Sequence, residues 1–404
     1  MKAFVRWTLN RSKRLTCLAL AILAAPPGRA DASSWKEGLE LHAFVSQGYV
    51  HTSDNRFMGD SQNGSFDFRE IGASASLRLS PRWLFSAQLL SRKAGDLSND
   101  SVDVDYALVD FTAHSSETWR LGLVAGRFKN PIGLYNDTRD VPFTRPSVFL
   151  PQSIYWEKLR DIMLSADGVQ GYAEYYSGRH AFFLQLGVGL FQTDSNLEWT
   201  YLNMDPPGEF ERGSPEPVGR LLYELDGGRV RLGLSGLTAG LTYRPGPVDF
   251  LGSGDLDLEY WVGSFQYNAE KWSFTVEYMQ EPVRMEDYGL PVLERDQAAE
   301  SYYLQGLWSP TSDWELMLRY DAAFLDRKDR SGEEQSAHDG LPRHRYYAKT
   351  WSVGITWKPD RRIMLRAQHD WVDGTAFLSG RENLDPTTMS DRWRMLSLSV
   401  SLGF

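Results

Sequence analysis

From Trp35 onward, apolar residues recur at every second position in segment after segment of the chain. Period two belongs to strands whose two faces meet different surroundings. In the last segment Leu396, Leu398, Val400, Leu402 and Phe404 share one face, and Ser397, Ser399, Ser401 and Gly403 share the other. A sandwich strand usually turns charged residues to solvent, whereas this one turns a small polar face, as the lumen side of a barrel strand does. Ile71, Ala73, Ala75, Leu77 and Leu79 repeat the pattern against Glu70, Ser74, Ser76 and Arg78. So do Trp351, Val353, Ile355 and Trp357, and likewise Trp314, Leu316, Leu318 and Tyr320 against Glu315, Met317, Arg319 and Asp321.

Such segments fall near 39–51, 66–79, 83–94, 102–112, 119–128, 167–177, 180–192, 217–225, 229–243, 255–267, 272–282, 300–309, 314–325, 345–358, 362–372 and 391–404. That is about sixteen strands, with ends good to ~2–4 residues and one strand pair open to revision. The connections alternate too. Short turns such as Ser80-Pro-Arg82, Ser177-Gly-Arg-His180, Asp226-Gly-Gly228 and Pro359-Asp-Arg361 join strands in pairs, and polar loops at 54–64, 95–100, 193–215, 284–297, 326–343 and 373–388 separate the pairs. Short turns on one rim, long loops on the other and an even count describe an all-β, transmembrane antiparallel β-barrel. Lipid cannot satisfy an open sheet edge, so the sheet must close, and a barrel this wide leaves an aqueous channel. Trp83, Trp119, Trp272, Trp308, Trp314 and Trp357 all stand beside short turns, where an indole favours the headgroup level, and predict one interfacial girdle.

One connection differs from the rest. Between the strand ending near Phe128 and the one starting near Asp167 lie Pro131, Pro142, Pro146 and Pro151, which forbid a ladder strand. The same stretch holds Val141, Phe143, Val148, Phe149, Leu150 and Ile154, too apolar for a free loop. A long loop with hydrophobic residues of its own packs against something, which predicts an insertion near 129–165 folded inward into the lumen. An external cap or a subunit contact is the alternative.

Composition sharpens this reading. The chain has 404 residues, 42% hydrophobic and 24% charged, values that suit a soluble protein. It has no apolar run of 18 residues, which excludes a bundle of membrane-spanning helices but not a barrel with a polar lumen. Residues 1–30 hold Lys2, Arg6, Arg11, Lys13 and Arg14, then an apolar run from Leu15 to Ala25, then Pro26, Pro27 and small residues. That order is a secretory signal, cleaved after Ala30 or after Ala32, leaving 31–404 as a single barrel domain. The segment carries six positive charges and no negative ones, so the net charge of −10 becomes −16 without it. The one cysteine, Cys17, leaves with it, so the mature chain holds together without disulfides.

The signal, the roughly sixteen amphipathic strands, the motif Gly126-Arg-Phe-Lys-Asn-Pro-Ile-Gly133 leading into the long third loop, and the terminal Phe404 together resemble bacterial outer-membrane porins. Among them the chain most resembles the family that includes the phosphate-selective porins. The plan covers essentially the whole mature chain; the local match is confined mainly to the third-loop region. The resemblance implies location in the bacterial outer membrane, a water-filled barrel narrowed by the third loop, a trimeric assembly, and Phe404 as the signal read by the barrel-insertion machinery. It implies contact with outer-membrane lipid and lipopolysaccharide, and passage of small hydrophilic solutes. The arginine and lysine ladder of the phosphate-selective members has no counterpart here, so phosphate selectivity does not carry over.

The insertion supplies candidate constriction residues: Arg127, Lys129, Asp137, Arg139, Asp140, Arg145, Lys158 and Arg160. With Glu157 and Asp161 its net charge is +2 within an acidic chain. Opposed charges across a gap orient polar solutes, and the local excess leans toward anions. Equally, these charges could pair and pin the loop to the wall. Arg69, Arg78, Arg319 and Arg366 are candidates for the lumen wall. An outer-membrane barrel hydrolase is one rival reading, but the seven histidines are scattered singly and Ser235, in Gly-Leu-Ser-Gly, lacks nucleophile-elbow spacing. No catalytic residue, metal, cofactor or nucleic-acid partner is expected. A closed structural or adhesive barrel is the other rival.

Overall fold

The first and last strands pair with each other, which turns the sheet into a ring. In the computed structural model, residues 38–404 are described; the signal segment and its cleavage position lie outside them. The strands are β1 (Leu39–Thr52), β2 (Ser65–Ser80), β3 (Trp83–Ala94), β4 (Ser98–Ser115), β5 (Trp119–Lys129), β6 (Ser165–Ser177), β7 (His180–Phe191), β8 (Glu209–Glu211) and β9 (Glu216–Leu225). They continue as β10 (Val230–Arg244), β11 (Gly254–Asn268), β12 (Trp272–Glu286), β13 (Arg295–Trp308), β14 (Trp314–Phe324), β15 (Tyr347–Asp360), β16 (Ile363–Gly374) and β17 (Arg392–Gly403). Sequence neighbours pair around the ring, and β1 closes it antiparallel against β17, from Phe44 opposite Gly403 to Thr52 opposite Met395. Phe404 extends the seam by exchanging backbone hydrogen bonds with Ala43.

The sequence pattern missed β8. This three-residue strand pairs with Thr242–Arg244 and prolongs the line of β9 along β10, so sixteen wall positions hold seventeen strands. Two loops are shorter than expected: β4 begins at Ser98 and β13 at Arg295, because alternation near the rim gives way to charged residues while the ladder continues. Short helices α1 (Arg160–Leu164), α2 (Asn196–Tyr201) and α3 (Glu333–Asp339) all lie in long connections.

The two faces divide as the alternation requires. On β17, Leu396, Leu398, Val400 and Leu402 are exposed outward, whereas Ser397 and Ser401 are buried on the inner face. An exposed apolar surface running round the wall is the kind that hydrocarbon covers. Trp83, Trp119, Trp272, Trp308, Trp314 and Trp357 are all exposed at the short-turn rim, and Trp314 stacks on Trp357 at 5.5 Å. Trp261, Trp351 and Trp371, also exposed and outward, form a second set toward the long-loop rim that position beside turns could not reveal.

Where the chain leaves β5 for the long insertion, three glycines stand in one row across the wall: Gly126 opposite Gly168, and Gly168 opposite Gly189. Gly126 has φ +117°, and a Cβ there would lie 2.4 Å from the Ala107 carbonyl oxygen. A Cβ on Gly168 would lie 2.1 Å from the Val188 oxygen, a backbone atom that cannot step aside. We expect Gly168→Ala to force β6 and β7 apart at the cost of roughly 1–3 kcal/mol. It should lower the temperature at which the folded barrel converts to the slower-running form on unboiled gels, and an unchanged transition would show that the row tolerates a methyl group.

Candidate functional site

The insertion between β5 and β6 is tied at its own base. Asn130 donates its backbone N–H to the Leu164 oxygen at 3.0 Å, and the Asn136 amide donates to the Asn130 and Met163 oxygens at 2.9 and 2.8 Å. Its apolar residues Val148, Phe149, Leu150, Ile154 and Trp156 are at most 3% exposed and belong to the main cluster of buried side chains. Phe149 packs on Phe68 of β2 with ring centroids 4.7 Å apart.

Its charged residues meet the inner face of β2 to β4. Arg145 grips Glu70 with both ends of its guanidinium, at 3.0 and 2.5 Å. Arg92 approaches the same carboxylate at 3.5 Å and donates to Glu157 at 2.5 Å, and Arg139 reaches Glu157 at 3.2 Å. Lys129 bridges Asp105 and Asp140, and Arg160 pairs with Asp140. None of these side chains is more than 10% exposed. Charges taken out of water at this depth are tolerable because each has a partner; removing one partner leaves the other buried and uncompensated.

A second set of bonds reaches the opposite wall. Glu277 of β12 accepts from the Leu134 backbone at 2.9 Å, from Tyr155 at 2.6 Å, from Tyr303 at 2.9 Å and from Ser264 at 2.6 Å. Arg220 of β9 donates to the Gly133 oxygen at 3.1 Å and to Asp137 at 2.6 Å. Arg319 of β14 donates to Ser147 and to the Phe149 oxygen at 3.1 and 3.2 Å, and Arg366 of β16 donates to the Pro142 and Arg145 oxygens. The segment thus touches the inner face of strands on every side of the ring.

Of the residues singled out in the sequence, Lys129, Arg139, Asp140, Arg145 and Arg160 come together in one network, and Asp137 pairs across the interior with Arg220. Arg319 and Arg366 are buried on the inner face, and Arg78 keeps the inner phase, exposed, at the short-turn end of β2. Lys158 stands apart from the network, near the long-loop rim. Two placements are corrected. Arg69 shares the parity of outward Ile71 and Ala73 and pairs with Asp100, and Arg127 shares that of outward Leu121 and Leu123 and pairs with Asp167 at 2.7 Å. Both are outer-face charges near the rim, where the wall leaves hydrocarbon and charge becomes affordable. The sequence reading missed Arg92, Glu277 and Arg220. Parity places them on inner faces, but nothing local says that a distant loop will meet them.

The long connections are knitted over the rim. Asn196 of α2 donates to the Leu97 oxygen and accepts from Arg381, while the Tyr201 oxygen accepts from Arg295. The Glu382 carboxylate takes the backbone N–H groups of Met58, Gly59 and Asp96 at 3.0, 2.6 and 3.1 Å. Beside α2, burial pushes the Asp194 carboxyl up to about 8, with the neighbouring Asp161 carboxylate adding to the rise.

Two outcomes are expected. Arg145→Ala leaves Glu70 with Arg92 alone, and the unfolding temperature should fall by an amount equivalent to about 3–5 kcal/mol; no fall would mean that the pair contributes nothing net. Burial and the neighbouring Asp161 carboxylate both disfavour an ionised Asp194, so the packing around it weakens as pH climbs from the usual carboxylate range near ~4 through about 8. Limited proteolysis within 193–215 should accelerate over that range, and Asp194→Asn should abolish the acceleration.

No protein-family model and no curated protein matches the sequence. Solved structures do match the fold. The outer membrane channel DcaP of Acinetobacter baumannii aligns with a TM-score of 0.56 at 11% identity, over 91% of this chain and 97% of the other. An anion-selective porin from Comamonas acidovorans aligns at 0.55 and 12% identity, over 91% and 99%. OmpT, an outer membrane protein of Vibrio cholerae, in a trimer form, aligns at 0.55 and 10% identity, again over 91% and 99%. At such identities the likeness is one of fold, and the chain has the closed antiparallel barrel of bacterial outer-membrane porins.

Proposed function

We propose that the protein is an outer-membrane channel through which small hydrophilic solutes diffuse down their gradient, with the 129–165 segment acting as its constriction. The observation that carries this reading is the contrast between the two faces of the closed wall. Outside is an apolar band; inside, from β13 to β17, stand Gln305, Ser352, Gln368, Ser397 and Ser401 beside Arg319 and Arg366. A polar inner wall around a charged loop suits hydrated solutes, and fixed cations among paired charges favour anions. The names of the solved neighbours, an outer membrane channel and an anion-selective porin, support the same reading, and the trimer form of one supports a trimer here. The terminal Phe404, outward and paired to β1, is suited to recognition by the insertion machinery.

One observation favours a second reading, a closed structural barrel. Ser301, Gln305, Ser352 and Ser397 are at most 1% exposed, so the segment leaves little room beside this wall. Conductance separates the two. The protein in planar bilayers should show small ohmic steps, and deletion of residues 136–152 should enlarge them severalfold. Absence of any conductance would overturn the channel, and unchanged steps in the deletion would place the segment outside the path. Reversal potentials in asymmetric KCl should show anion preference; a cation preference would refute it.

A further inference from the structure

Most buried cations of the interior are matched by carboxylates, but Lys158 is not. It is 9% exposed, and its Nζ donates to the Ala376 oxygen at 2.6 Å, with no carboxylate in ion-pair range among the described residues. Its ammonium also lies over the Trp156 ring, 4.9 Å from the centroid. Lys158 lines a partly open cavity of about 40 Å³ among the long connections, together with Arg345, Asn203, Thr200 and Trp199. The lining contains no Asp or Glu. Arg345 donates one Nη to the Asn203 side-chain oxygen and has no ion pair among the described residues, leaving the rest of its guanidinium to other acceptors.

Two cations facing one cavity whose lining holds no carboxylate repel each other, and Glu281, set farther off where it accepts from Tyr201, offsets that only in part. Burial holds the Lys158 ammonium down at about 8, and the like charge of Arg345 pushes the same way. An unpaired charge at this depth is expensive, and an anion between the two groups would relieve both the desolvation and the repulsion. The volume suits a compact group: by the same measure one water needs ~10–15 Å³, so the space takes about three waters or a single oxyanion head. A guanidinium fork offers two parallel N–H groups to such a head, and an ammonium adds a point charge.

We propose that Lys158 and Arg345 form a binding site for a small oxyanion, or for the oxyanion end of a solute, at the long-loop mouth of the barrel. The site rests on the channel reading for its purpose, as the place where an anionic solute is first held, but its chemistry is independent of conduction. Standing above the paired network, it gives the acidic chain a local positive point where solutes arrive.

Inorganic sulfate is a suitable probe, since its charge is constant across neutral pH. Isothermal titration of the detergent-solubilised full chain should show saturable sulfate binding. Lys158→Met should weaken it by at least ~10-fold, and so should Arg345→Gln, whose side chain is half-buried and whose loss threatens the fold less. Arg392→Gln, on the outer face of β17, should leave it unchanged. A wild-type protein that binds no sulfate, or variants that bind it as tightly as wild type, would overturn the site. Because titration needs no current, a conducting barrel without sulfate binding refutes the site alone, and a sulfate-binding barrel without conductance refutes the channel alone.

Discussion

Everything in this barrel depends on the ladder between β1 and β17. A sheet in hydrocarbon has no water to satisfy its edge groups, and each unpaired N–H or C=O there costs several kcal/mol. Nine residue pairs from Phe44–Gly403 to Thr52–Met395 remove both edges at once. Once the ring is closed, every side chain must point either outward to an apolar surround or inward to a shared interior, and the period-two alternation follows. The interior then poses the opposite problem: polar and charged groups from sixteen wall positions, crowded together and partly cut off from water.

The insertion answers that problem from within the same chain. Its apolar residues fill space against Phe68 and its neighbours, while its ions neutralise those of the wall, Arg145 against Glu70 and Arg139 against Glu157. The two walls it meets differ in chemistry. Toward β2–β4 the contacts are ion pairs, and toward β11–β13 they are neutral and anionic hydrogen bonds gathered on Glu277.

How much of this was legible in the sequence depended on whether the deciding contact was local. Alternation between neighbours placed all sixteen long strands, and the tryptophans beside turns marked one rim. The prolines and apolar residues of 131–154 identified the unusual connection. Arg69 and Arg127 keep the outward phase that Ile71 and Leu123 fix beside them and pair with Asp100 and Asp167, so neither faces the lumen. Glu277, Arg92 and Arg220 were out of reach. Their partners lie 143, 65 and 83 residues away, and no local pattern encodes which part of a ring a returning loop will face. Asp140 was a candidate for pore charge and is instead held between Lys129 and Arg160, so one residue type at one site served two readings that only geometry separates.

The clasp made by Glu382 bears on the order in which the molecule is assembled. Its partners Met58 and Gly59 are 324 and 323 residues earlier in the chain, so the N–H groups it binds emerge first and wait for a carboxylate that comes almost last. Contacts of such separation carry the largest loop-closure entropy and gain nothing until β16 and β17 are in place. The mouth is therefore completed after the wall, and a barrel caught before its final hairpin docks has loops that are unjoined over an unfinished ring. Closing the seam and dressing the rim are coupled, and the last connection of the chain performs both.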